Sequence, residues 1–159
     1  MTLELWNTFA TFGTFIVIAA TAIAALVQLR HARSGNQISA LTEMRDSFET
    51  PQFAAAAQFV STQLASKLED PEFRYQIVNR SARRLDTVDL ITKIVTVGNF
   101  YDALGLLVKT GLVEGELALN IWANQASRSW DALAPVAALV RPAQTQAVWE
   151  HFEYFVVMS

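Results

Sequence analysis

Between Glu4 and Arg30 there is no charged residue. Leu5 to Leu29 is therefore an uncharged run of 25 residues. At 1.5 Å per residue a helix of that length reaches about 37 Å, enough to cross a hydrocarbon core of about 30 Å with some tilt. Trp6 stands at one end, where an interfacial aromatic belongs, and Arg30, His31 and Arg33 stand at the other. Cytoplasmic flanks carry the excess of basic residues. The run thus predicts one transmembrane helix, with the N-terminus outside and the C-terminal part in the cytosol.

Two rivals fit less well. A cleavable secretory signal needs a basic region ahead of a shorter apolar core, and here only Glu4 precedes the run. A buried helix of a soluble protein rarely runs this far without a charge. Charged residues are 17% of the whole chain, against roughly a quarter in an ordinary soluble domain. Beyond residue 29 they rise to about 20%, a usual globular value, in enough chain to bury a real core. The expected division is residues 1–33 as anchor with a basic juxtamembrane turn, and residues 34–159 as a cytosolic helical domain. Ser34-Gly35-Asn36 is the expected joint. The absence of Cys excludes disulfides and Cys-based zinc or redox centres. A net charge of −3 gives no general electrostatic case for nucleic acid.

The apolar spacing after the anchor is helical throughout, so the expected class is all-α. Ile38, Leu41 and Phe48 share one stripe. Thr50-Pro51 and Asp70-Pro71 each read as a cap followed by the first helical residue. Phe53, Ala57, Val60, Leu64 and Leu68 mark the face of the helix after the first of these, and Phe73 and Ile77 that of the helix after the second. Residues 87–110 form the expected central helix, with Leu90, Ile94, Val97, Tyr101, Leu104 and Val108 inward, and Val88, Ile91 and Val95 widening the stripe. Gly98 and Gly105, seven apart, share a face and admit a close neighbour; Gly111 is the stop. Leu117, Ile121, Trp122 and Trp130 belong to a further helix that Pro135 interrupts or restarts. Val148, Trp149, Phe152, Phe155 and Val156 make the last amphipathic segment.

Several of these features together resemble a known family. They are the uncharged helix ending in Gln28-Leu29-Arg30, the segment Phe100 to Gly105, and Leu107-Val108-Lys109-Thr110-Gly111-Leu112-Val113. Trp130, Pro135 and Arg141 follow, then Trp149-Glu150-His151-Phe152-Glu153. The arrangement is similar to the bacterial membrane-anchored family known as domain of unknown function 4760. The resemblance implies a helical cytosolic domain on a membrane anchor and carries no activity with it.

Catalytic and cofactor patterns are absent from the sequence. There is no Gly-x-Ser-x-Gly elbow, no phosphate-binding Gly-x-x-x-x-Gly-Lys and no Gly-x-Gly-x-x-Gly. No catalytic residue, cofactor or metal is expected. His31 belongs to the basic turn. His151 lies between Glu150 and Glu153, but Glu150 and His151 are adjacent on a helix and are expected to point apart, too few ligands for zinc. Glu69-Asp70 and Asp86-Asp89 fall at helix ends, where carboxylates complement the dipole. Arg80, Arg83 and Arg84 are the densest positive feature. With Arg30 and Arg33 they are candidates for an anion or lipid headgroup, against the plainer role of surface pairing with Asp86 or Asp89.

The functional expectation is a non-enzymatic interaction or regulatory module at the bacterial inner membrane. The alternative is a small-ligand sensor or enzyme with an inter-helix site near Arg80, Arg84 and Tyr101. The expected partners are the bilayer and a second transmembrane helix, from another copy or a different protein, with no nucleic acid. The helix partner follows from Asn7, Thr11, Thr14, Ile18, Thr21, Ala25 and Gln28. These recur every seven residues and put polar or small side chains on one line, while Phe9, Phe12, Phe15, Ile16, Ile23 and Leu26 suit lipid. The threonines have a plainer use, bonding their own helix carbonyls four residues back. A transmembrane association assay on residues 1–33 separates the two. Thr14→Leu and Thr21→Leu should each lower the signal while Phe12→Leu leaves it, and equal signals for all three would remove self-association.

Overall fold

The computed structural model describes residues 3–144 and 147–159, with side chains from residue 14 onward except at 33 and 34. No strand occurs among the described residues. The helices are α1 (Leu3–Phe48), α2 (Pro51–Thr62), α3 (Leu64–Lys67), α4 (Pro71–Val78), α5 (Leu85–Lys109), α6 (Gly115–Val140) and α7 (Glu150–Val157), with a 3₁₀ turn at Arg80–Ala82 between α4 and α5.

The chain divides into two units, residues 1–39 and 40–159. Residues 3–39 of α1 belong to the first. Ser34-Gly35-Asn36, the expected joint, is helical instead and lies within α1. One glycine costs a helix only about 1 kcal/mol, too little to break one this long. Among the described residues two helices are long and apolar enough to cross a membrane, one over residues 14–48 of α1 and the other α5. Half of the α5 window is buried inside its unit and none of the α1 window is. Phe15, Ile16, Ile18, Ile23, Leu26 and Leu29 are all exposed.

The second unit is built around α5, with α2, α6 and α7 packed against it. Caps set the helix starts as the sequence requires. The Thr50 hydroxyl accepts from the Phe53 N–H at 3.1 Å, and the Asp70 carboxylate accepts from the Glu72 N–H at 2.9 Å, each just ahead of a proline. Gly111 ends α5 with φ +71. Its N–H donates to the Val108 carbonyl and the Leu112 N–H to that of Leu107, a Schellman stop.

The core is aromatic at its centre. Phe53 packs on Phe100 at 4.8 Å between ring centres, the Tyr101 ring stacks on Phe152 at 4.8 Å, and Trp130 meets Phe152 edge-on at 4.9 Å. Ile94, Val97, Leu104 and Val108 of the central stripe are buried as expected, and so is Ile91. Val88 and Val95 are exposed, because the helices packed on α5 leave their side uncovered. Ile38, Leu117 and Ile121 are exposed too. α6 turns Ala118, Trp122 and Ala126 inward in place of Leu117 and Ile121. Small residues let a helix approach its neighbours closely, and that contact outweighs hiding two isolated aliphatic side chains.

α6 also continues through Pro135, where an interruption was expected. Leu133, Val136, Ala137 and Val140 are buried on both sides of the proline, and the packing of that face holds the helix together. Pro135 itself is exposed, so the one donor it lacks is lost on the solvent side.

Burial raises the Tyr101 phenol from its ordinary value of 10.0 to about 12, against a smaller opposing effect of its hydrogen bond with Ser129. The folded chain therefore holds this proton after the unfolded chain has released it. The contribution to stability is complete below pH 10 and is lost as pH rises towards about 12. Denaturant unfolding should show a lower stability at about pH 11 than at about pH 9, and Tyr101→Phe should flatten that difference. An equal slope in the variant would assign the loss to other groups.

Candidate functional site

α7 is eight residues long, too short to be stable alone, and its position is fixed by α5. Gly98 and Gly105 lie on the side of α5 that receives it. A Cβ on Gly98 would fall on the Trp149 indole, and one on Gly105 on the His151 backbone carbonyl. Between them Asp102 performs the work of an N-cap from another helix. Its Oδ1 accepts the N–H groups of His151 and Phe152 at 3.0 and 3.2 Å. The negative charge at the first turn of α7 also suits the helix dipole.

Trp149 precedes α7 in a left-handed conformation, φ 55 and ψ 35, the single non-glycine residue with positive φ among the described residues. Such a backbone costs about 1–3 kcal/mol. It directs the indole into the space that Gly98 leaves, and the indole N–H donates to Asn99 Oδ1 at 3.1 Å. Arg141 closes the junction from α6. Its Nε donates to the Val148 carbonyl at 3.0 Å, its guanidinium lies over the Trp130 ring at 5.8 Å, and its Nη2 is 2.7 Å from Glu153 Oε2.

A cavity of about 370 Å³ opens beside this junction. Its walls come from α4, α5, α6 and the segment leading into α7. Ile77, Ile91, Ile94, Val136, Val140 and Trp149 make an apolar lining, and Arg80, Arg83, Asn99, Asp102 and Gln144 supply polar groups. Arg83 is fixed at the end of α4, its Nε donating to the Gln76 carbonyl at 3.2 Å and its Nη2 to that of Ile77 at 3.0 Å. Burial first, and repulsion from Arg80 second, lower the pKa of Arg83. The buried Gln76 is satisfied at both ends, by Glu72 and by the Arg84 N–H.

The structure separates the residues that the sequence grouped. Arg80 and Arg83 line the cavity; Arg84 lies outside that lining, 3.4 Å from Asp86 on the surface. Tyr101 is in the aromatic core and lines no part of the cavity. Glu150 and His151 do not point apart: His151 Nδ1 is 3.6 Å from Glu150 Oε1 and 3.4 Å from Lys109 Nζ, a small polar cluster bridging α5 and α7. Asp89 pairs with Lys93 at 2.7 Å. In the first unit Thr14, Ile18, Thr21, Ala25 and Gln28 are exposed. The side chains of Asn7, Thr11 and Arg33 lie outside the described residues. The Thr21 hydroxyl donates to the Val17 carbonyl at 2.7 Å, and His31 Nδ1 is 3.0 Å from the Val27 carbonyl.

A family model described as Domain of unknown function (DUF4760) matches residues 15–158. The chain belongs to the DUF4760 family. No curated protein and no solved structure matches it. Within the second unit, most of the segments that carry the resemblance to DUF4760 gather at one place. Phe100 to Gly105 receives α7, Leu107 to Val113 forms the stop of α5, Trp130 and Arg141 hold the outer side, and Trp149 to Glu153 is the docked element. Asn99 and the role of Asp102 were missed in the sequence. The signal available for both was their position between two glycines that share a face.

Two substitutions test the junction. Gly105→Ala should destabilise the domain by about 1–3 kcal/mol, because backbone rather than a mobile side chain occupies the space. Asp102→Ala should cost a similar amount by leaving two N–H groups unsatisfied. Thermal unfolding measures both, and unchanged midpoints would mean that α7 docks elsewhere.

Proposed function

We propose that the chain is a single-pass protein of the bacterial inner membrane, N-terminus outside, whose cytosolic helical domain acts by binding rather than by chemistry. The observation that carries this reading is the contrast between two helices that are each long and apolar enough to cross a membrane. α5 buries one face, Ile91, Ile94, Val97, Leu104 and Val108, in a core, whereas Phe15, Ile16, Ile18 and Ile23 of α1 are each more than 60% exposed. Exposed apolar surface costs about 25 cal/mol per Å² in water, and a bilayer removes that cost. Arg30, His31 and Arg33 at the end of this run favour a cytosolic C-terminal side.

The domain's polar groups favour binding over catalysis. Asp102, Asn99, Arg141 and Gln76 are each held by hydrogen bonds that join helices or fix their ends. The bilayer is the first partner in this reading. A second transmembrane helix, from another copy or from a different protein, is the next, on the face of Asn7, Thr14, Thr21 and Gln28. The cavity favours a second reading, a small-ligand sensor, with Arg80 and Arg83 as its charged residues.

Topology is open to direct measurement, since the chain has no Cys. Single cysteines at Thr2 and Ser159 should label oppositely with an impermeant thiol reagent on intact cells, Thr2 reacting and Ser159 protected. The reverse pattern would invert the orientation, and release of the chain by alkaline carbonate would remove the membrane span.

A further inference from the structure

We propose that the cavity between α4, α5 and α6 binds an organic anion with an apolar body, a carboxylate on an aliphatic chain, with its charge at Arg80 and Arg83 and its body among Ile91, Ile94, Val136 and Val140. The inference rests on the small-ligand reading and names the ligand class.

The volume, about 370 Å³, lies in the range of small-molecule sites, about 300–1,000 Å³. The chemistry of the lining is divided. Isoleucine and valine side chains with the Trp149 indole form most of it, and the charged groups are two guanidiniums and one carboxylate. The carboxylate, Asp102, is already committed to the N–H groups of His151 and Phe152. The guanidiniums have donors to spare. Arg83 uses Nε and Nη2 to hold the end of α4, which fixes its orientation and leaves Nη1 without a partner among the described residues. The Arg80 guanidinium makes no hydrogen bond or ion pair among the described residues, while neighbouring Arg84 has Asp86.

Two like charges beside a partly desolvated pocket repel one another, and an anion between them relieves that repulsion while gaining charge-assisted hydrogen bonds. A free phosphate would use the arginines and leave the apolar lining empty. A neutral hydrocarbon would fill the lining and leave the arginines unpaired. A carboxylate with an aliphatic body of moderate length satisfies both parts.

The test uses the full chain held in amphipol, with octanoate, its uncharged analogue octanamide and inorganic phosphate as probes. Tryptophan fluorescence, to which Trp149 in the wall contributes, and equilibrium dialysis give the readout. Octanoate should bind saturably. Arg80→Ala, a change at an exposed residue, should weaken it about tenfold or more, and Arg80→Lys should restore part of the loss. Val140→Trp should abolish binding by filling the cavity, with its thermal midpoint measured to establish that it folds. Octanamide should bind at least about tenfold more weakly than octanoate. Octanoate binding that Arg80→Ala and Val140→Trp leave unchanged would overturn the proposal, since the probe would then be in the amphipol or on the anchor. Octanamide binding as tightly as octanoate and lost in Val140→Trp would overturn the anionic class but keep the small-ligand reading. Phosphate binding that depends on Arg80 without octanoate binding would overturn the apolar body. No saturable binding of any probe would overturn the class and the small-ligand reading together.

Discussion

The close approach of α7 to α5 is the contact on which the rest of the domain depends. Two glycines remove the side chains that would hold the elements apart, and one carboxylate satisfies the first N–H groups of the helix that arrives. Phe152 and Phe155 are then wholly buried, and Phe152 gives Tyr101 and Trp130 an aromatic neighbour. An eight-residue helix has almost no stability of its own, so its order is borrowed from tertiary packing. The left-handed backbone at Trp149 persists for the same reason: the indole's place against Gly98 and its bond to Asn99 over-determine it.

The cavity is a by-product of this arrangement. α7 and the segment before it cover one side of α5, and the line of Leu85, Val88 and Val95 is left open. The space between α4, α5 and α6 is walled by the residues that secure the junction, Asn99, Asp102 and Trp149, together with the arginines beyond the end of α4. The cavity and the junction of α5 with α7 thus share Asn99, Asp102 and Trp149.

Much of this was legible in the sequence where local chemistry decides the outcome. Thr50-Pro51 and Asp70-Pro71 start helices because a side-chain oxygen and a missing N–H suit the first turn, and Gly111 ends one because only glycine takes its φ freely. The spacing of Gly98 and Gly105 disclosed a close neighbour but not which one. Other features depend on which helix covers which side, and no window of sequence contains that. Val88 and Val95 match the buried period of α5 as well as Ile91 does, yet they lie where no helix packs. Pro135 breaks a helix in isolation and is carried by α6 because the opposite face is packed on both sides of it. Arg83 lines the cavity and Arg84 does not because Arg83 folds back on the Gln76 and Ile77 carbonyls while Arg84 pairs with Asp86, a detail below the resolution of apolar spacing.

The separation along the chain between α5 and α7 has a consequence for synthesis. Trp149 and Phe152 meet side chains about fifty residues earlier, so the centre of the core cannot close while α5 and α6 are emerging from the ribosome. During that interval α5, apolar and long enough to enter a bilayer, presents Tyr101, Leu104 and the bare glycine face without their cover. Non-local closure of this kind is slow relative to local helix formation, and an uncovered apolar helix is prone to aggregate or to partition into lipid. Until α7 arrives the nascent chain therefore exposes two long apolar helices, and its docking covers part of one of them.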